Sequence, residues 1–150
     1  MPPQISIVKY HFLYLCPKQN RTKFPQKQLN EELQCYDEVK TKIVVVDEKI
    51  EDVETLFKML YEELCFPDYF GCNWNALNDC LRDFCWLQED FVVFVVINKY
   101  KILSKEPSFQ RDAFFEYLQY ASDFWDDPND EFGYKQNHPN LVFNVYYVED

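Results

Sequence analysis

Between Tyr69 and Asp83 the chain gathers residue types that suit a recognition surface. Asp79 supplies a carboxylate, Asn73, Asn75 and Asn78 supply amides, Tyr69 supplies a hydroxyl on a rigid ring, and Arg82 and Asp83 add one charge of each sign. A carboxylate set among hydrogen-bonding groups binds guanidinium, ammonium or imidazolium groups. Covalent chemistry has no comparable basis. No Ser, His and Asp grouping is visible, and His11 and His138 lie far along the chain from the cysteines at 65–85.

The elements that must position these groups can be read from spacing. Pro67 and Gly71 mark a turn, and Asn73 is a natural N-cap for a helix behind it. Trp74, Leu77, Leu81 and Phe84 form an apolar stripe at steps of 3, 4 and 3. Asn75, Asn78, Asp79 and Arg82 occupy the opposite side at steps of 3, 1 and 3. One side is therefore buried and one is polar, which is also what an ordinary solvated amphipathic helix shows. Tyr69 and Phe70 place two aromatics at the tip of the turn, where solvent calls for none. Phe70 reads as core and Tyr69 as contact, because its ring has a polar tip. Trp74 opens the inward stripe and reads as buried rather than exposed. Gly71 serves either a positive φ or a close backbone approach.

Pro67, Asp68, Tyr69, Phe70, Gly71, Asn73, Trp74, Ala76, Leu77, Asp79, Cys80 and Leu81 together resemble the barstar family of intracellular ribonuclease inhibitors. The resemblance runs from about Lys42 to Trp86, is weaker over Leu87 to Val148, and does not reach residues before about Lys40. It implies that Asp79 enters a nuclease active site and takes a phosphate position, and that Tyr69 contacts the enzyme. The expected partner-binding set, taken over the whole turn and helix, is Tyr69, Gly71, Asn73, Trp74, Asn75, Asn78, Asp79, Arg82 and Asp83. Two positions depart from the family pattern: Asn75 stands where many members have Asp, and Asn78 where many have Trp. These changes suit a scaffold retuned for a different partner.

The charge agrees with a basic protein partner. The net charge is −11, but residues 1–45 hold 7 basic and 4 acidic side chains while residues 46–150 hold 8 and 22. An acidic field repels nucleic acid and anionic membrane and draws in basic proteins, although acidity also simply keeps a protein soluble. Two glycines, far apart, exclude a glycine-rich phosphate loop. The six cysteines have no pair spaced for zinc or redox chemistry, and the acidic run at 123–131 does not match a calcium loop. No metal or cofactor is expected. Ile5 to Leu15 contains a lysine and no cleavage-site pattern, so it reads as neither signal peptide nor membrane span. Cytoplasmic residence with reduced thiols is expected. Cys80 beside the inward stripe reads as a small core residue.

The fold class is α/β: a barstar-like, small, mostly parallel sheet with packed helices and an N-terminal strand extension. Ile5 to Leu15 reads as a strand, Pro17 to Pro25 as a loop, and Gln26 to Val39 as helix or strand. Lys42 to Val46, Phe91 to Ile97 and Leu141 to Val148 read as strands, the second apolar on both faces. Asp52 caps a helix with an apolar stripe from Val53 to Leu64, and Ser108 caps a long helix with Phe114, Tyr117, Leu118, Ala121, Phe124 and Trp125 inward. Strands separated by helices usually pair in parallel. The expected division is residues 1–40 as a packed extension and 41–150 as the barstar-like domain.

Three functions follow. The first is a non-enzymatic inhibitor or immunity protein that binds a basic nuclease toxin, one to one, and occludes its active site with residues 69–83. The second is a barstar-like interaction or regulatory domain without nuclease inhibition. The third is a small hydrolase using a cysteine and His138.

Overall fold

Apolar runs at 41–46, 91–97 and 142–149 fold as three adjacent parallel strands of one sheet, and the helices between them close its face. The computed structural model describes residues 12–16, 23–25, 40–130, 132–136 and 138–149. Along the chain these form β1 (Phe12–Cys16), β2 (Lys23–Pro25), β3 (Thr41–Val46), α1 (Val53–Glu63), α2 (Trp74–Leu81), β4 (Phe91–Ile97), α3 (Ser108–Asp126) and β5 (Val142–Glu149). The strand order is β2-β1-β5-β4-β3. β3 and β5 each run parallel to β4, with Val44 opposite Phe94 and Phe94 opposite Val145. β1 lies antiparallel to β5, and β2 antiparallel to β1.

The registers set two faces. Val44, Val46, Phe94, Val96, Phe143 and Val145 point into one core with Leu56 and Leu60 of α1, Leu77 and Leu81 of α2, and Phe114 and Leu118 of α3. Val93, Val95, Tyr146 and Val148 occupy the other face and are buried as well. A run without alternation, FVVFVVI, is what burial on both faces requires. Among the described residues no helix is long and apolar enough to cross a membrane.

Local expectations hold for α1: the Thr55 N–H donates to Asp52 Oδ1 at 2.8 Å. Glu106 adds a second carboxylate there, accepting from the Val53 N–H at 2.8 Å. Two expectations are corrected. Ser108 does not cap α3 but is its first residue; Pro107 takes the cap position, with φ −58° and no side-chain hydrogen bond. Proline holds that φ at no extra cost, so the chain enters the helix without a side-chain acceptor. The loop expected over Pro17 to Pro25 contains β2, whose partner is β1. Three polar-flanked residues carry no strand pattern of their own, and Pro25 at the end of an edge strand removes no inner ladder bond. The strand expected from Ile5 is described from Phe12; residues 5–11, 17–22 and 26–39 lie outside the described residues.

Candidate partner-binding face

The turn before α2 is built around the Asn73 side chain. Its Oδ1 accepts from the Ala76 N–H at 2.8 Å, and its Nδ2 donates to the Gly71 carbonyl at 3.2 Å. Asn73 therefore spends both ends of its amide on the turn and the cap. Gly71 takes the close-approach role: a Cβ there would stand 3.0 Å from Asn73 Nδ2. The positive φ of this turn falls instead on Cys72, at 52°.

The inward side fixes the helix. Leu77, Cys80 and Leu81 are buried, and so is Phe84 beyond the C-cap. Trp74 is half-buried. Its ring stacks on Tyr117 at 5.8 Å and meets Phe57 edge-on at 5.0 Å, and its indole N–H donates to Gln110 Oε1 at 2.7 Å. Its packing ties α2 to both other helices.

On the outward side the Asp79 side chain is 78% exposed. Arg82 Nη2 stands 3.8 Å from Asp79 Oδ1, its Nε donates to the Asn78 carbonyl at 3.4 Å, and its guanidinium lies 6.0 Å from the Phe124 ring centre. Each contact is long, so Arg82 leaves the carboxylate open. Asn75 is exposed. Asn78 is half-buried, and its Oδ1 accepts no hydrogen bond among the described residues.

Tyr69 is 67% exposed, while its hydroxyl donates to Asp83 Oδ2 at 3.3 Å. Partial burial of that hydroxyl end, with the Asp83 carboxylate beside it, pushes its pKa up to about 12. The hydroxyl stays neutral and remains a donor at physiological pH. Tyr61 makes a matching pair with Asp68 at 2.9 Å on the other flank of the turn.

Asp79, Arg82 and Asp83 share an open cleft of about 400 Å³ with Phe124 and Tyr134. These two aromatics stand outside the expected site. Phe124 fitted an inward helical stripe, and Tyr134 lies in a segment that reads as polar loop. The only local signal is a pair of aromatics, Phe132 and Tyr134, where solvated loop favours none. Cys65, Cys72, Cys80 and Cys85 are free; the first two and Cys85 are exposed and Cys80 is buried. Burial, with Asp83 and Asp79 nearby, pushes the Cys80 thiol up to about 11, the reverse of nucleophile activation. Among the described residues no group of His, Cys, Asp or Glu is arranged to hold a metal ion.

A turn and capped helix that buries Leu77 and Leu81 and presents Asp79 thus lies along the chain between the parallel strands β3 and β4. Residues 41–136, 96 of the 150, match the family described as Barstar (barnase inhibitor). The chain belongs to the barstar family. The barstar match opens on the first residue of β3, contains all three of the described helices, and closes in the loop after α3. β1, β2 and β5 lie outside it. Among curated relatives, "Putative ribonuclease inhibitor YrdF" of Bacillus subtilis (strain 168) is 31% identical over 82 residues. That alignment covers 55% of this chain and 86% of the relative.

Proposed function

We propose that this barstar-family chain is a cytoplasmic inhibitor or immunity protein that binds a basic ribonuclease toxin one to one and occludes its active site with residues 69–83. The observation that carries this reading is Asp79. Its carboxylate is 78% exposed on a helix whose other side is buried and fastened to two neighbouring helices. An anion on a fixed support loses little conformational freedom when cations close on it, and it can fill a site built for phosphate.

The remaining site residues divide by role. Tyr69, Asn75 and Asp83 surround the carboxylate on the outer surface, and Arg82 flanks it. Asn73, Gly71 and Trp74 serve by holding the turn and the helix in place. Asn78 sits at the edge, half-buried. The reading needs no metal, cofactor or catalytic group, and the raised thiol of Cys80 speaks against that cysteine as a nucleophile. Net acidity over residues 46–150 draws a basic partner in and slows its approach as salt screens the field.

Calorimetric titration of basic ribonucleases, barnase among them, combined with an RNA-cleavage assay tests the proposal. Saturation at one equivalent with loss of cleavage is the expected result. Binding that leaves cleavage intact refutes active-site occlusion and favours an interaction domain without inhibition.

A further inference from the structure

We infer that the loop after α3 is a second arm of the partner-binding face, and that it takes an arginine-rich segment of a basic protein. The inference rests on the reading of α2 given above and extends it to residues outside that helix. Phe132 is 73% exposed and Tyr134 66% exposed, with ring centres 5.6 Å apart. Apolar ring surface kept in water is unfavourable, and a second surface that covers the pair removes that cost.

The loop that carries them is held by specific bonds. The Gly133 N–H donates to the Asp130 carbonyl at 3.0 Å, and the Lys135 N–H to Asp130 Oδ2 at 3.1 Å. Lys135 Nζ donates to the Asp127 carbonyl and lies 5.0 Å from the centre of the Phe124 ring. Gly133, with φ +68°, bends the chain between the two aromatics. The rings are therefore presented by a built turn.

Charge complementarity decides what covers them. Tyr134 and Phe124 line the same cleft as Asp79, Arg82 and Asp83, where two carboxylates outnumber the one guanidinium and Arg82 meets Asp79 only at 3.8 Å. Aromatic faces opposite carboxylates match a guanidinium, which stacks on a ring while its N–H groups donate to the acid. An ammonium satisfies the acids but stacks less well. The occupant is therefore an arginine-bearing surface, engaged by α2 on one side and by the loop on the other.

Titration of isotope-labelled protein with hexa-arginine and hexa-lysine at low salt, read by amide shifts, tests this. Hexa-arginine should shift residues 79–83 and 132–136 together and bind more tightly than hexa-lysine. The double variant Phe132→Ala with Tyr134→Ala, both exposed and expected to fold as the parent does, should weaken hexa-arginine at least about 5-fold. Shifts confined to other surfaces, equal affinity for the two peptides, or a double variant that binds like the parent would each overturn the arm. Asp79→Ala separates the two readings. If it releases the peptide while the double variant holds it, the arm is refuted and the α2 face stands. If the double variant releases it and Asp79→Ala does not, the arm stands and Asp79 loses its central place.

Discussion

Trp125 of α3 donates its indole N–H to the carbonyl oxygen of Leu81, 2.8 Å away, so the last turn of α2 is fastened to α3. A carbonyl at a helix C-terminus has no partner within its own helix. Both residues are buried, and water does not replace the bond. The end of α2 that carries Asp79, and the turn behind it that carries Asp83, are thus positioned by a side chain more than forty residues further on. Trp125→Phe keeps an aromatic side chain, smaller than the indole, and removes the donor. It should cost about 1–3 kcal/mol of stability, the penalty for leaving a buried carbonyl unsatisfied. Chemical denaturation measures it, and an unchanged midpoint would show that the bond does not hold the helix.

Asp79→Ala should leave stability within about 0.5 kcal/mol of the parent, because the side chain is largely exposed. Binding to the cognate ribonuclease should weaken by about 2–5 kcal/mol, a range that already draws on charge pairs of the barnase–barstar kind. Association of the parent should slow steeply as salt rises. Calorimetry and stopped-flow mixing supply both quantities. Parent-like affinity in Asp79→Ala would remove the α2 face from the interface.

Asp52 gives a pH prediction with a defined sign. The hydrogen bonds from Thr55 hold its carboxyl below the ordinary value of 3.8. A carboxyl depressed in the fold stabilises above its unfolded value and loses that contribution as pH falls through the folded value. The stability gap between parent and Asp52→Ala should be full at neutral pH and should close below 3.8. Urea midpoints at neutral pH and at about pH 2 check this. A gap that persists in acid would mean that the ionised cap is not what stabilises α1. Ribonuclease affinity should not change, since Asp52 lies outside residues 69–83.

Thiol reactivity should separate the cysteines by burial. Alkylation of the native protein at about pH 8 should label Cys65 and Cys72 first. Cys85, raised by partial burial and by Asp83, should follow, and Cys80 should react only after unfolding. Peptide mapping by mass spectrometry gives the order, and Cys80 labelled as fast as Cys72 would contradict it. Unfolding returns the Cys80 thiol to near 9.0, so stability should also fall as pH rises from there toward 11.

Local structure was legible because its causes are local. The caps at Asp52 and Asn73, the stripe of Leu77 and Leu81, and the two-faced burial of Phe91–Ile97 depend on residues within a turn or two of one another. The barstar resemblance was legible for the same reason, since its motif is one continuous stretch. Where a local rule admitted two answers, only the structure chose. Gly71 answers to the Asn73 side chain, while Cys72 carries the positive φ. Ser108 has the right chemistry for a cap, yet Pro107 already sets the entry angle.

What the sequence determined by itself was therefore the turn, the helix behind it and the carboxylate on its open side. Tertiary structure alone decided what stands around that carboxylate. Phe124 and Tyr134 reach the cleft of Asp79 from more than forty residues away, and Trp125 fixes the height of α2. β1 joins the sheet beside β5 through the longest separation among the described strand pairs. Such contacts depend on how separate elements pack and register, and that packing energy is shared among residues whose order along the chain carries no period to read.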